Sequence, residues 1–285
     1  MPKISVITAS YNYENYIKET IESVINQTFQ DWEMIIVDDG SKNNSVEVIK
    51  SYCEKDNRIK FFQHEHGVNK GLAETIKLGI EKSTGDWIVF LESDDTIVPD
   101  YLETKLKIIE ENQDVKFIFN DINMFGEQNI IEKYDSYFKK QKKILSKLNF
   151  PTKMLKAFKS THTNLIPTFS CVMVKKISCK NLNFNCPIKK GLDLYLWLQL
   201  LRTNDFYYID KKLTNWRMHK SSYMNSEKIN DYDSLKYDFK RIYYLWGPFA
   251  ILRYLLLFIN FLRKNFIKIR ISKNKKEIII LGYKF

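Results

Sequence analysis

Asp86-Trp87-Ile88-Val89-Phe90-Leu91-Glu92-Ser93-Asp94-Asp95 is the stretch that decides the fold. Six residues ending in an apolar run read as a buried strand, bounded in front by Gly85. An acidic turn follows at once. Carboxylates at the carboxyl end of such a strand lie where open α/β sheets bind ligands. Asp94 and Asp95 offer hard oxygen ligands for Mg2+ or Mn2+, the ions a diphosphate uses. The alternative is a solvated turn whose Asp side chains cap the helix starting near Pro99.

Two other strands end the same way. Glu33-Met34-Ile35-Ile36-Val37 runs into Asp38-Asp39-Gly40-Ser41, and Ile4-Ser5-Val6-Ile7-Thr8 into Ala9-Ser10-Tyr11-Asn12. Loops at the carboxyl ends of parallel strands converge on one crevice. The site is therefore expected to be assembled from separated segments.

Around these anchors strand and helix signals alternate. Strands are predicted near 3–9, 33–38, 58–62, 86–91 and 115–120, and helices near 14–27, 45–55, 69–82 and 99–111. Ile17, Ile21, Val24 and Ile25 recur at helical spacing, as do Leu72, Ile76 and Ile80, with Thr75 and Lys77 facing elsewhere. Such alternation implies right-handed crossovers and a mostly parallel sheet. Regularity then stops. Residues 121–160 are Lys-rich with helix-compatible stretches, and Thr168–Val174 reads as a strand. Leu192–Leu201 reads as an apolar helix, with short strands at Phe206–Ile209 and Leu213–His219. The expected organisation is a domain over 1–222, with halves 1–120 and 121–222, and a helical, basic extension over 223–285.

The chain has 285 residues, enough for a sizeable core, and a net charge of +11. The charge is uneven: nine Lys/Arg stand against Glu277 alone from Arg253 to Phe285. They trail a nearly apolar run over 244–262, interrupted by Pro248 and Arg253. An apolar segment followed by a basic one fits a helix lying on an anionic inner leaflet rather than crossing it. The alternative is a helix packed on the main domain. Nucleic acid is not expected, because no recognition-helix, zinc or glycine-aromatic sheet motif accompanies the charge. Met1-Pro2-Lys3-Ile4 enters a strand directly, so no signal peptide is expected. Cys53, Cys171, Cys179 and Cys186 lack metal-site spacing and read as free thiols in a reducing cytosol. The first turn, Ala9-Ser10-Tyr11-Asn12-Tyr13, contains no glycine, so the dinucleotide fingerprint is absent; a nucleotide's phosphates must be neutralised by something other than a glycine-rich helix start, which a metal at Asp94/Asp95 would do.

The ordered set Ser5–Asn12, Ser23–Phe29, Glu33–Ser41, Asn69–Ala73, Gly85–Asp95, Asp193–Leu198 and Trp216–Ser222 resembles the family-two glycosyltransferases of the bacterial surface-glycan kind. The resemblance implies the GT-A fold of nucleotide-diphospho-sugar transferases: a Rossmann-like, mostly parallel central sheet with helices on both faces. It implies an inverting, metal-dependent transfer from a UDP-sugar, with Mn2+ or Mg2+, to a hydroxyl of a glycan or lipid-linked glycan in surface polysaccharide biosynthesis. The transferred sugar is a hexose or an N-acetylhexosamine. The implied location is cytoplasmic, on the inner face of the membrane, and a homodimer is compatible with it.

The resemblance also assigns residues. Thr8, Ser10 and Tyr11 line the nucleotide pocket, Asp39 meets the base, and Lys70 contacts phosphate. Asp95 holds the metal, Asp94 lies beside it on the ribose or sugar side, and His219 approaches the metal or diphosphate. Asp193 is the base that deprotonates the acceptor, although the position could also be a helix cap. Read from the residues alone, Arg217, with Lys220, pairs either with phosphate or with a surface acid. Two departures stand out: Glu92 opens the acidic turn where Asp is usual, and Leu192 precedes Asp193 where an acid is usual. Trp197 reads as a core or acceptor-platform residue, and His64 and His66 as solvent-exposed. A sugar nucleotidyltransferase shares the sheet and metal, but it would want a glycine-rich first loop. A non-catalytic member of the fold is the remaining alternative, supported only by Leu192.

Overall fold

The computed structural model describes residues 3–151, 164–186, 191–202, 204–221, 267–272, 275–280 and 283–284. It divides into two compact units, Met1–Tyr237 and Asp238–Phe285.

In the first unit the early alternation is realised. β1 (Ile4–Ser10), β2 (Trp32–Asp38), β3 (Ile59–Gln63) and β4 (Trp87–Phe90) pair in parallel in the order β3-β2-β1-β4. Helices α1 (Ile17–Ile25), α2 (Ser45–Cys53) and α3 (Leu72–Lys82) make the crossovers. The stripe of α1 is the cause of its packing: Ile17, Ile21 and Val24 are fully buried, while Lys18 and Glu22 pair across the outer face at 3.9 Å. Every residue of β2 is buried, as a strand covered on both faces requires. In α3 the inward face is Thr75, Ile76 and Gly79, so Thr75 faces inward, not away. Gly79 lets the helix lie directly on β1, because a Cβ there would stand 2.4 Å from Ile7 Cγ2.

Beyond β4 the sheet becomes mixed. β5 (Thr96–Ile97), α4 (Tyr101–Glu111), β6 (Phe117–Gly126), α5 (Gln128–Leu145), β7 (Val172–Lys175), α6 (Leu192–Leu200) and β8 (Phe206–Met218) follow. The order across the eight strands is β3-β2-β1-β4-β7-β6-β8-β5. β7 runs antiparallel to both neighbours, while β6 and β8 are parallel, with register shifts around Asp121. The stretch expected as a strand from Thr168 starts with a 3-10 turn, Phe169–Cys171. The two short strands expected near 206 and 213 are one continuous β8. Trp197 is fully buried against Phe90, Phe117 and Phe169, which makes it a core residue.

The second unit contains an antiparallel sheet of β9 (Ile267–Ser272), β10 (Lys275–Ile280) and β11 (Tyr283–Lys284). In the extension, expected to be helical, the described residues 267–272, 275–280 and 283–284 therefore form strands instead. The sequence Ile267-Lys268-Ile269-Arg270-Ile271 alternates with the period of a strand. The apolar run over 244–262 lies outside the described residues. No described helix is long and apolar enough to cross a membrane.

Candidate functional site

A cleft of about 670 Å³ opens at the carboxyl ends of β1, β2 and β4, a size suited to a small-molecule ligand. Ser10, Tyr11, Asp39, Lys70, Glu92 and Asp94 all line it. The turns that carry them are tied to one another. Asn12, in the left-handed region at φ 63°, accepts from the Lys42 amide at 2.8 Å, and its own N–H donates to Ser41 Oγ at 2.9 Å. Asp38 Oδ1 accepts from the amides of Gly40 and Ser41. Gly40 sits at φ 81° with Gly67 O only 2.5 Å from where a Cβ would be, so only glycine fits this turn.

One corner of the cleft is built on Asp39. Its Oδ1 accepts from the Lys70 amide at 2.7 Å and its Oδ2 from the Gly71 amide at 2.9 Å. The carboxylate therefore welds the β2 turn to the start of α3. His64 backs the same corner: Nε2 lies 3.1 Å from Thr75 Oγ1 and 3.6 Å from Asp39 Oδ1. His64 is 8% exposed, against the expectation of a solvent-facing residue, whereas the His66 side chain is exposed as expected. Tyr11 stands 43% exposed at the rim. Ser10 Oγ is buried and has no hydrogen-bond partner among the described residues. Such a hydroxyl on a cleft wall is a place for a ligand's polar group. Thr8 Oγ1 is likewise unpartnered, but it is fully buried within β1 and does not line the cleft.

The acidic turn divides its labour in a way the sequence does not reveal. Asp94 faces the cleft, and His219 Nε2–H donates to its Oδ2 at 2.9 Å. The His219 ring is tilted on Tyr16 at 4.8 Å, and its Nδ1 lies 2.8 Å from Ser221 Oγ. Asp95 turns inward. It is fully buried, with Ser170 Oγ donating to Oδ2 at 2.6 Å and the Arg217 amide to Oδ1 at 2.9 Å. The structure thus places Asp95, expected as the metal ligand, away from the cleft lining, with both carboxylate oxygens hydrogen-bonded inside the protein. Of the two, Asp94 alone lines the cleft, and His219 is buried behind it. Arg217 does not line the cleft either: Nε donates to the Asp94 carbonyl at 2.9 Å, and the guanidinium pairs with Glu19 at 2.5 Å. It is stacked on Phe125 and Tyr16 at 4.4 and 4.9 Å, so it clamps α1 to the turn and does not await phosphate.

Charge is crowded here. Burial first, then Asp94 and Asp193, push the Glu92 carboxyl up to about 8, despite a hydrogen bond from Thr168 Oγ1. Burial, then Asp94 and Glu92, hold Asp95 well above the carboxylate range, and burial with Asp94, Glu92 and Asp95 raises the Tyr13 hydroxyl. An unrelieved acidic cluster of this kind suits a ligand that brings positive charge. Among the described residues no group of three or more His, Cys, Asp or Glu forms a ready metal site. Two protein ligands are nevertheless what a Mg2+-type ion takes when diphosphate oxygens and water fill the remaining positions.

Asp193 lies in the first turn of α6 next to Leu192; Leu192 lines the cleft and Asp193 itself does not. Burial raises its carboxyl to about 6, opposed by hydrogen bonds from the Leu194 amide and from Asn164 Nδ2 at 3.1 Å. Asn164 also accepts at its carbonyl from Tyr137 and Gln141 of α5. Asn164, Thr168, Ser170, Tyr13 and Tyr16 were not legible as site residues. The one available signal was three hydroxyl or amide side chains set among apolar neighbours between Asn164 and Val174.

The family model described as glycosyl transferase family 2 matches residues 5–181. An uncharacterised glycosyltransferase of Methanocaldococcus jannaschii is 30% identical over 99% of this chain and 98% of its own length. The glycosyltransferase GlyA of Streptococcus pneumoniae is 31% identical over 77% of this chain, which spans 31% of that relative. Among solved structures, Staphylococcus aureus TarS 1–349 in complex with UDP-GlcNAc superposes with a TM-score of 0.62 at 19% identity, over 92% of this chain and 74% of that one. A Pyrobaculum calidifontis mannosyltransferase in complex with GDP-Man and Mn2+ gives 0.57 at 12% identity, over 91% and 74%.

Proposed function

The chain belongs to glycosyl transferase family 2 and has its GT-A fold, and we propose that it moves a hexose or N-acetylhexosamine from a UDP-sugar to a hydroxyl of a glycan or lipid-linked glycan. The observation that carries this reading is that one cleft is lined by an unpartnered Ser10 hydroxyl, the Asp39 corner and Asp94, which His219 holds from behind the cleft wall by a hydrogen bond. The first two suit a nucleoside and the third a diphosphate.

Asp94 and His219 would hold Mn2+ or Mg2+, which as a Lewis acid stabilises the charge that develops on a departing nucleoside diphosphate. Their mutual hydrogen bond keeps both groups in place without the ion. Lys70, exposed at the cleft rim, adds a cation on the phosphate side. Asp193 takes the proton from the attacking hydroxyl. Its burial-raised pKa near 6 suits a general base working close to neutrality. Asn164 orients the carboxylate and favours its ionised form. Attack opposite the leaving group inverts the anomeric centre in one step.

The bound nucleotides named for the TarS and mannosyltransferase structures support a nucleoside-diphosphate-sugar donor here, without choosing the base. The basic tail supports peripheral attachment to the inner face of a cytoplasmic membrane, where a lipid-linked acceptor for surface polysaccharide would be met. Calorimetry of UDP and GDP with and without Mn2+, followed by product anomer analysis with the matching sugar nucleotides, tests the scheme. Tighter UDP binding in Mn2+ and an inverted product are expected. A retained anomer would remove Asp193 as the acceptor's base.

A further inference from the structure

We propose that Ser170 is a positioning residue that holds Asp94 in its cation-facing place by locking the two ends of the acidic turn together. The proposal rests on the donor-site reading just given. Ser170 is fully buried in the 3-10 turn before β7 and does not line the cleft. Its hydroxyl makes two bonds of opposite sense: Oγ accepts from the Glu92 amide at 3.0 Å and donates to Asp95 Oδ2 at 2.6 Å. One atom therefore spans the first and last residues of Glu92–Asp95. The turn's own closing bond, Asp95 N–H to the Glu92 carbonyl, is longer, at 3.2 Å.

The anchor beneath Ser170 is equally buried. Its carbonyl accepts from Tyr101 Oη at 3.0 Å and Thr214 Oγ1 at 3.1 Å. Lys105, with no exposed surface, donates from Nζ to Tyr101 Oη at 2.8 Å and to the Cys171 carbonyl at 2.7 Å. Asp95 is fixed from its far side by the Arg217 amide and by Thr20 Oγ1, which donates to its carbonyl at 2.8 Å. A polar column from α4 to the turn is thus hydrogen-bonded throughout. Apolar side chains would fill the same space with less desolvation. What the column supplies is a fixed direction for the turn, because each bond has a set length and angle. Asp94 is the residue enclosed between the two locked ends, and its direction decides whether its carboxylate meets His219.

Without the hydroxyl, the Glu92 amide and one Asp95 oxygen lose their partners inside the protein. The expected consequence is a turn that no longer presents Asp94, with the nucleoside corner at Asp39 untouched. Calorimetry on the full chain with UDP, and GDP in parallel, is run with and without Mn2+ for Ser170→Ala, Ser170→Thr, Asp95→Asn and the Ser170→Ala/Asp95→Asn double variant. Ser170→Ala should weaken Mn2+-dependent nucleotide binding by about tenfold or more, the effect of leaving buried polar groups unpaired. Metal-free affinity should stay within about twofold of the parent, since the Asp39 corner keeps its bonds. Ser170→Thr, which keeps the hydroxyl, should recover most of the metal response. The double variant should be no worse than Asp95→Asn alone, as expected of residues acting through one contact. A wild-type metal response in Ser170→Ala, an equal loss without metal, or additive single effects would each overturn the proposal. If Ser170→Ala does not fold, Asp95→Asn decides: an unchanged Mn2+ response there overturns it too. A parent protein that binds nucleotide with no Mn2+ response would instead sink the metal reading of the cleft, and this inference with it.

Discussion

Replacing Asp193 with Asn isolates the proton transfer from the rest of the site. The side chain keeps its volume and its place in the first turn of α6, but it can no longer accept a proton. General-base catalysis contributes about 10²–10⁴-fold, so turnover should fall by that factor while nucleotide affinity holds. The pH dependence gives a sharper test. A carboxyl raised by burial to about 6 is about nine-tenths ionised at pH 7 and about one-tenth at pH 5. The parent enzyme should therefore lose close to tenfold in rate over that interval, with activity rising as pH rises because the ionised form is the base. Asn164→Ala removes a hydrogen bond to the charged form and should move the limb to higher pH. Initial rates on the best donor between pH 5 and 8 give all three results. A limb near 6 that survives in Asp193→Asn, or a parent-like rate, would show that another carboxylate takes the proton.

Three other perturbations probe separate parts of the chain. Glu33 is buried, which alone would raise its carboxyl, but hydrogen bonds from Lys60, Ser5 and Thr84 outweigh burial and bring it down to about 2. Its stabilisation, roughly 3 kcal/mol from the shift, is present above pH 4.5 and is lost as pH falls towards 2, so Glu33→Gln should lower thermal stability at pH 7 and flatten its acid dependence; an unchanged melting curve would oppose this. Gly40→Ala forces a side chain into a left-handed turn against the Gly67 carbonyl and should cost about 1–3 kcal/mol, together with nucleotide affinity, as read by denaturant titration and calorimetry. Deleting residues 244–285 should release the protein from anionic vesicles, with attachment of the parent weakening as salt rises, because basic residues near such a surface contribute roughly 1 kcal/mol each; equal pelleting of both forms would rule out a membrane role for the tail.

The parallel half of the sheet was legible because each strand is a short apolar run and each helix carries one buried stripe. The mixed half was not, and β8 shows why. Asp210, Lys211 and Lys212 look like a loop between two strands, yet they remain in β8 with exposed side chains. Ion pairs draw their charges aside: Lys211 to Asp100 at 2.5 Å and Lys142 to Asp210 at 2.8 Å. Local polarity was outweighed by pairing with β6, a strand some ninety positions earlier. The described part of the tail departs from a helical reading for a different reason. Its strand period is plain in Ile267–Ile271, but the apolar run before it drew the whole extension toward a helical reading.

The acidic turn marks the limit of local reading. Asp94 and Asp95 are chemically identical neighbours, and nothing within ten residues distinguishes them. Their roles are fixed by partners more than seventy positions away: Ser170 and the Arg217 amide for Asp95, and His219 for Asp94. The same distance separates Glu92 from Thr168, and Asp193 reaches Glu92 electrostatically from α6. These contacts gather carboxyls that repel one another in a site that holds water off them, an arrangement that costs stability in the free protein. A stability optimum would spread such groups apart. Their concentration beside an unpartnered hydroxyl, in a cleft of nucleotide size, is therefore better explained by a ligand that arrives with its own cation than by the needs of folding.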